Sequence, residues 1–220
     1  MKPHNPIGVF DSGIGGLTVA NAIKENLPNE KIIYFGDTQH LPYGNKSSKK
    51  INYFSDRIVE FLISKKCKAI VIACNTASAL AIESIIKKVD NQCLVFNVID
   101  PVIRHVVDNK NIKNLGIIGT AATIASNIYQ SKINSIRKDI KVQSIATPLL
   151  ATLIEEDNLN LHGNSIIKSY LSDTRLHNID SLILGCTHYP LIESKIKAYY
   201  KSKVNIINSV KHIGFMIESI

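Results

Sequence analysis

Two cysteines stand where their thiols could act on a substrate. Cys74 and Cys186 each follow a run of apolar residues that is typical of a buried strand. Each is followed by polar residues that suit the start of a helix, Asn75-Thr76 and Thr187-His188. Free backbone N–H groups and the positive end of the helix dipole lie at such a start and favour a thiolate. The alternative is a pair of buried cysteines that only pack.

Several reactions of cysteine can be compared with this pattern. A phosphatase of the Cys-x5-Arg kind is excluded, because Leu80 and Ile192 stand where arginine is required. The chain has no CxxC pair, which argues against a redox dithiol or a zinc site. A nucleophilic hydrolase needs only one cysteine with a histidine partner. Proton exchange at a stereocentre uses both thiols, one as base and one as acid, and an ordinary thiol pKa of about 8.5 needs little tuning for it.

Polar residues that could assist these thiols also follow predicted strands. Asp11 ends the first strand and opens the segment DSGIGG (11–16), a glycine-rich turn whose N–H groups could hold a substrate carboxylate. Dinucleotide binding is a poorer match, because Thr18 stands where the third glycine of G-x-G-x-x-G is required. His188, two residues after Cys186, is placed to assist proton movement.

Three further features have both a functional and a structural interpretation. Asp37 follows the second strand, and Pro42-Tyr43-Gly44 forms a turn a little later. Each could line a binding site or serve only to shape the loop. Glu155 and Glu156 follow an apolar stretch and could equally be the solvated end of a helix.

Short apolar runs alternate with helical patterns along the chain. The candidate strands are residues 7–10, 32–35, 69–73, 94–98, 115–119, 142–146, 181–185 and 204–207. The candidate helices are residues 16–27, 48–66, 76–88, 121–136, 162–172 and 190–202. This alternation predicts an α/β fold with mostly parallel sheets and helices on their faces. Ligands bind beyond the carboxyl ends of such strands, so the cysteines and their helpers are expected at that edge.

Prolines mark three expected helix starts. Asp100-Pro101 and Thr147-Pro148 each place a capping residue before a proline that suits the first helical position. Residues before proline avoid the α region, so Tyr189-Pro190 places the preceding residues, 186–188, in a loop ahead of a helix.

A weak internal repeat divides the chain into similar halves. IGVF (7–10) resembles LGII (115–118), and the run before Cys74 resembles the run before Cys186, at nearly equal separations. We therefore expect two α/β lobes that face each other across a cleft, each presenting one cysteine at the end of a strand.

The first lobe is expected to hold residues 1–98 plus 210–220, and the second residues 99–209. The active site is expected in the cleft between them.

Composition narrows the class of protein. Apolar residues make up 45% of the 220 residues and charged residues 20%, which predicts a folded globular chain. We expect a cytoplasmic protein, because no secretory signal and no apolar stretch long enough for a membrane span is visible. The remaining cysteines, Cys67 and Cys93, end apolar runs and are interpreted as packing residues.

The charge balance has two interpretations. The formal net charge is +8, mostly from lysine. Nucleic-acid binding is disfavoured, because the lysines are scattered and aromatic residues make up only 6% of the chain. A positive field that attracts a small anionic substrate is the better interpretation.

Five motifs follow one another along the chain: FDSGIGGL (10–17), GDTQHLPYG (36–44), ACNTAS (73–78), GTAAT (119–123) and LGCTHYPL (184–191). Together they resemble those of bacterial glutamate racemases, of the aspartate/glutamate racemase family. They occur in the order found in that family and cover nearly the whole chain. Aspartate racemases share the two cysteines but typically lack the PYG turn and the HYP after the second cysteine.

The resemblance implies a role for each matching position. Cys74 resembles the base for D-glutamate and Cys186 the base for L-glutamate, while Asp11 and His188 resemble their respective assisting residues. Glu155 matches an acidic position near the second site. The implied substrate contacts are Ser12, Pro42, Tyr43, Gly44, Asn75, Thr76, Thr120, Thr123 and Thr187.

The resemblance also implies a biological setting. Such enzymes use no metal and no pyridoxal phosphate, supply D-glutamate for peptidoglycan synthesis and the cell wall, and commonly form homodimers. Relatives usually continue well past Asn208-Ser209, whereas this chain ends at Ile220, so we expect a shortened tail. Two alternatives therefore stay open: a racemase of another acidic amino acid, and a non-catalytic amino-acid-binding or regulatory descendant.

Overall fold

A computed structural model describes residues 4–156 and 159–213. Within them the chain forms two four-stranded sheets in which every strand pair is parallel. The first sheet contains β1 (Ile7–Asp11), β2 (Ile32–Gly36), β3 (Ala69–Ile72) and β4 (Leu94–Asn97). The second contains β5 (Asn114–Gly119), β6 (Lys141–Ala146), β7 (Ser181–Gly185) and β8 (Asn205–Asn208). The predicted α/β fold is therefore confirmed, and so are all eight candidate strands.

Helices connect the strands and cover the sheets. They are α1 (Leu17–Asn26), α2 (Ser48–Ser64), α3 (Asn75–Leu80), α4 (Ile82–Val89), α5 (Ile99–Asp108), α6 (Ala121–Ala125), α7 (Ile128–Ile136), α8 (Leu150–Glu155), α9 (Leu159–Leu171) and α10 (Glu193–Tyr199). Short 3-10 turns lie at Tyr43–Asn45, Thr174–Leu176, Tyr189–Ile192 and Val210–His212. No helix in the described ranges combines the length and apolarity that a membrane crossing requires.

Both sheets have the same strand order. The first runs β2-β1-β3-β4 and the second β6-β5-β7-β8. We call each sheet with the helices that pack on it the first lobe and the second lobe. Because all strands in a lobe are parallel, their carboxyl ends share one edge, and Cys74 and Cys186 follow the corresponding strands β3 and β7.

Each sheet is buried on both faces, as its apolar strands require. In β1 the side chains of Ile7 and Val9 pack with Val19 and Ile23 of α1, while Phe10 points to the opposite face, toward α2 and α4. In β5, Leu115 and Ile117 face α5 and α7, and Ile118 faces α8, α9 and α10. Burying a side chain of this size contributes roughly 1.5–3 kcal/mol, so these alternating faces hold the strand ends in place.

Two candidate helices are each divided in the structure. The stretch 76–88 becomes α3 and α4, which meet at Ala81. The stretch 121–136 becomes α6 and α7, because Asn127 takes a left-handed conformation with φ of 56°. Asparagine tolerates that conformation better than most residues, so it separates the two helices at low cost.

The capping prediction at Asp100 and Thr147 is wrong. α5 begins at Ile99, and the cap comes from Asn97, whose side-chain oxygen accepts from the N–H groups of Ile99 and Asp100 at 2.9 and 3.0 Å. α8 begins at Leu150, and the Thr147 hydroxyl instead donates to the Gly119 carbonyl at 3.1 Å. In both places the side chain that was expected to cap the helix forms hydrogen bonds elsewhere instead.

The exact lobe boundaries stay a prediction. Ile99 and Val102 of α5 pack in the core of the second lobe, whereas Ile213 packs in the core of the first. Residues 214–220, which were assigned to the first lobe, lie outside the described residues.

Candidate active site

One pocket of about 420 Å³ lies between the carboxyl edges of the two sheets. Both thiols line it: Cys74 from the first lobe and Cys186 from the second. Ten other predicted site residues also line it: Ser12, Pro42, Tyr43, Gly44, Asn75, Thr76, Thr120, Glu155, Thr187 and His188. Two more, Asp11 and Thr123, lie directly behind the lining and bond to residues in it.

The Cys74 thiol is held by the start of α3. It is the N-cap of that helix, accepting from the Ala77 N–H at 3.5 Å, and it donates to the Ser12 hydroxyl at 3.7 Å. Burial nevertheless raises its pKa to about 12, and the nearby Asp11 carboxylate adds to the rise. The helix start was expected to favour the thiolate, but its hydrogen bonds only partly offset burial. Near neutral pH Cys74 is therefore a thiol.

Cys186 is paired with a histidine. Its sulfur lies 3.6 Å from Nδ1 of His188, within the short loop that follows β7. Burial raises the pKa of this thiol well above its ordinary value, the His188 N–H lowers it in part, and the charge of Asp11 raises it further. Cys186 is therefore also a thiol near neutral pH, with an imidazole beside it that can accept its proton.

Glu155 completes a chain that begins at Cys186. One oxygen of Glu155 contacts Nε2 of His188, and the other accepts the Ile14 N–H of the first lobe at 3.1 Å. A side chain at Gly13 would meet that carboxylate at 2.7 Å, so the close approach depends on the glycine. Of the two acidic candidates at the end of α8, Glu155 is the one in the site.

Asp11 shapes the turn that follows β1. It is fully buried, and its Oδ2 accepts the N–H groups of Gly13 and Gly16 at 3.2 and 3.0 Å. The hydroxyl of Thr187, from the second lobe, donates to Oδ1 of Asp11 at 3.3 Å. The turn was expected to offer its N–H groups to a substrate carboxylate. Those of Gly13, Ile14 and Gly16 are instead taken by carboxylates of the protein.

Three hydroxyl groups form a cluster across the lobes. Thr76 of the first lobe lies 2.9 Å from Thr120 and 3.1 Å from Thr123 of the second, oxygen to oxygen. Thr120 is also the N-cap of α6 and accepts the Thr123 N–H at 3.2 Å. The cluster supplies neutral donors beside the first cysteine, where a carboxylate could be held without a cationic side chain.

The Pro42-Tyr43-Gly44 turn is held by Asp37. The Tyr43 hydroxyl donates to Oδ2 of Asp37 at 2.6 Å, and His40 contacts the other oxygen at 2.7 Å. Asp37 thus has a structural role that positions a pocket wall, which decides the question left open by the sequence. A Cβ atom at Gly44 would lie 2.5 Å from Cβ of Thr120, so this glycine lets the two lobes meet.

Four lining residues were not among the individually predicted site residues: Gly13, Leu41, Ala151 and Thr152. Gly13 and Leu41 adjoin predicted contacts. Thr152 lies three residues before Glu155 on α8, so helical periodicity could have found it once Glu155 was placed in the site. Among the described residues, none that lines the pocket is a lysine or an arginine. The described residues also contain no group of three or more His, Cys, Asp or Glu side chains that could hold a metal ion.

Comparison with known proteins identifies the family. The family model described as Asp/Glu/Hydantoin racemase matches residues 7–213. The chain belongs to this family. Its curated relatives include the glutamate racemase of Chlorobium phaeobacteroides, 40% identical over 213 residues that span 96% of this chain and 78% of the relative. The glutamate racemase of Bacillus cereus is 39% identical over 210 residues, 95% of this chain and 77% of the relative.

Solved structures of family members have the same architecture. A glutamate racemase isoform from Bacillus anthracis superposes with a TM-score of 0.91 at 39% identity, covering 99% of this chain and 82% of that one. Glutamate racemase from Francisella tularensis, solved with D-glutamate, gives 0.88 at 40% identity, with 98% and 80% covered. An aspartate racemase from Picrophilus torridus gives 0.71 at 19% identity and covers 97% and 93%, which shows the shared fold alone.

Proposed function

We propose that this chain is a glutamate racemase that interconverts L- and D-glutamate by proton transfer between Cys74 and Cys186. The observation that carries the proposal is the meeting of both thiols in one pocket, each presented by the corresponding strand of a different lobe. Glutamate racemases at about 40% identity over nearly the full chain support the choice of substrate.

From L-glutamate, the reaction begins at Cys186. His188 Nδ1 takes the thiol proton, and Glu155 balances the charge of the resulting imidazolium through Nε2. The Cys186 thiolate then removes the α-proton from one face of the substrate, becoming a thiol. The Cys74 thiol donates its proton to the opposite face of the carbanion, which gives D-glutamate and a Cys74 thiolate.

From D-glutamate the roles are reversed. The reverse direction starts from the form that the first direction leaves, in which Cys74 has lost its proton and His188 holds one. The Cys74 thiolate, stabilised by the Ser12 hydroxyl and the Ala77 N–H as donors, removes the α-proton, and the Cys186 thiol protonates the opposite face. The resulting Cys186 thiolate then takes the proton back from His188. Asp11 assists through its position behind the pocket wall, where it bonds to the turn that carries Ser12 and to Thr187. Two chemically equivalent acids suit a reaction whose directions are mirror images.

The high pKa of both thiols fits a site that is activated by its substrate. Among the described residues that line the pocket there is no lysine or arginine to stabilise a thiolate. The ammonium group of glutamate brings a positive charge into this buried space, where it favours both the thiolates and the carbanion. The carboxylates of Asp11 and Glu155 are placed to balance that ammonium group.

Neutral donors recognise the two substrate carboxylates in this proposal. They are the groups of Ser12, Tyr43, Gly44, Asn75, Thr76, Thr120, Thr123 and Thr187, taken from both lobes, while Pro42 contributes an apolar contact to the pocket wall. A few placed polar groups in an enclosed pocket can fix a small ligand in one orientation. Donors from both lobes also make substrate binding favour closure, which excludes water from the carbanion.

The biological setting rests on the family likeness. We propose that the chain needs no metal or pyridoxal phosphate, acts in the cytoplasm as a homodimer, and supplies D-glutamate for peptidoglycan synthesis. The similarity to glutamate racemases supports the substrate, and the motif resemblance supports the rest.

The direct test is circular dichroism of L-glutamate incubated with the purified protein in buffer without added cofactor. We expect the optical activity to decay, and Cys74→Ala and Cys186→Ala each to lower the rate about a thousandfold, the scale of a lost acid or base. Cys93→Ala is the matched control, because Cys93 is buried away from the pocket.

Other outcomes would assign the chain a different mechanism, substrate or role. Racemisation retained in either active-site variant would contradict the two-thiol mechanism. Racemisation of aspartate but not glutamate would identify a different acidic substrate. Tight glutamate binding without turnover in the unsubstituted protein would identify a non-catalytic descendant.

A further inference from the structure

Only one of the two polar groups in the Asn75 side chain has a hydrogen-bond partner among the described residues. The residue is 2% exposed and lines the pocket directly after Cys74. Its side-chain oxygen accepts from the Tyr129 hydroxyl at 2.6 Å. Its amide nitrogen is buried and has no hydrogen-bond partner within the part of the chain that the structure describes.

A buried amide donor without a partner is costly, so native structures rarely leave one unless a ligand completes it. Asn75 lines the pocket, and its oxygen is already occupied by Tyr129. A ligand bound in the pocket can supply the acceptor that this nitrogen lacks. Neither Asn75 nor Tyr129 has another side-chain hydrogen bond among the described residues.

Tyr129 is rigidly placed for this contact. It lies on α7 of the second lobe, 3% exposed, in a core cluster with Ile117 and Ile133. Its ring edge lies beside Gly185, the residue before Cys186, at 3.5 Å from the position of a Cβ atom there. Burial and the nearby Cys186 keep the pKa of Tyr129 far above its ordinary value, so its hydroxyl stays a donor.

We propose that Tyr129 is a positioning residue whose hydroxyl holds the Asn75 amide with its nitrogen toward the pocket, which makes Asn75 a donor for a substrate carboxylate. The inference rests on the proposed function, because it takes glutamate as the ligand. Without the hydroxyl, the amide can rotate and present its oxygen, which repels a carboxylate.

The contact also joins the lobes. Asn75 opens α3 of the first lobe, and Tyr129 belongs to the second. The orientation of the donor thus depends on the lobes being together. The same approach of the lobes that orients the Asn75 donor beside Cys74 therefore also brings Cys186 to the opposite side of the pocket.

The test replaces Tyr129 with phenylalanine, which keeps the buried ring and removes only the hydroxyl. We expect the Kd for D-glutamate, measured by titration calorimetry, to rise about tenfold, the scale of one hydrogen bond to a charged group. KM is expected to rise by a similar factor while kcat changes by less than about twofold, because the proton-transfer groups are untouched.

Tyr189→Phe is the matched control. Tyr189 is a fully buried tyrosine of the second lobe whose hydroxyl bonds to Thr147, away from Asn75. If loss of a buried hydroxyl acts only through stability, both variants will lower Tm and leave Kd unchanged. If the inference holds, only Tyr129→Phe will raise Kd.

A measurement on the unsubstituted protein does not depend on any variant folding. The side-chain amide resonances of Asn75 are expected to shift when D-glutamate binds, as the free nitrogen gains its acceptor. Absence of a shift at saturating glutamate would overturn the inference.

The outcomes separate the two proposals. Binding without racemisation, with weaker binding in Tyr129→Phe, would keep the inference and reject racemase activity. Racemisation with an unchanged Kd in Tyr129→Phe would keep the activity and reject the inference. Absence of glutamate binding in the unsubstituted protein would reject both.

Discussion

The two lobes share a strand order but surround their cysteines differently. In each, the cysteine follows the third strand of the lobe in sequence, β3 or β7, which pairs with the first. Cys74 meets the start of a regular helix and the Ser12 hydroxyl. Cys186 meets His188 and, through it, Glu155.

The difference begins at the ends of the first strands. β1 ends on Asp11, a buried carboxylate, whereas the equivalent strand β5 ends on Gly119. The acidic group of the second lobe comes instead from α8, and it reaches the site through His188. The repeated strands thus fix where the two thiols lie, and the loops give each thiol its own proton-transfer partners.

Among the variants that test this difference between the lobes, His188→Gln is expected to have the largest effect. Loss of the imidazole removes the group that accepts the Cys186 proton, and kcat/KM should fall about a hundredfold. Because enantiomers have equal free energies, kcat/KM must fall by the same factor in both directions, whereas the two kcat values can fall unequally. Steady-state kinetics from each enantiomer measures this.

His177→Gln is the control, since His177 is exposed beside the starts of β5 and β6 rather than their carboxyl ends. A His188→Gln enzyme with kcat/KM within about twofold of the unsubstituted protein would show that the lobes do not differ in the proposed way.

A smaller effect is expected on stability at alkaline pH. The unfolded Cys74 thiol titrates near its ordinary pKa, but in the folded protein burial raises the pKa to about 12. The unfolded chain therefore loses its proton first, and the free energy of unfolding falls as pH rises toward the folded pKa. Between pH 8.5 and 10 this thiol should cost roughly 2 kcal/mol.

Urea denaturation at the two pH values measures that loss. Cys74→Ser should remove it, because serine does not titrate in this range, and Cys186→Ser should behave similarly since burial also raises the pKa of Cys186. If the free energy of unfolding depends on pH in the same way in the unsubstituted protein and in both variants, then neither thiol is held protonated by the fold.

The strands and most of the site could be predicted from sequence because they depend on short-range patterns. Apolar runs such as 69–73 and 181–185 gave the strands, and polar residues at their ends gave the candidate site. The motif resemblance added residues such as Thr120, whose role no local pattern shows.

The features of the site that could not be predicted from sequence depend on contacts between residues far apart in the chain. The hydrogen bond from Ile14 to Glu155 joins residues 141 positions apart, and the bond from Tyr129 to Asn75 joins residues 54 apart. The raised pKa of Cys74 depends on burial by both lobes, which outweighs the local helix start that was expected to lower it.

The measurement that tests two-base racemisation most directly is deuterium incorporation at the α-carbon in D2O. Thiol protons exchange with solvent, and each thiol serves only one face of the substrate. Starting from L-glutamate, we predict that early D-glutamate carries deuterium while the remaining L-glutamate keeps its hydrogen, as resolved by mass spectrometry after separation of the enantiomers. Deuterium appearing equally fast in the remaining L-glutamate would show that one base serves both faces, which would contradict proton transfer between Cys74 and Cys186.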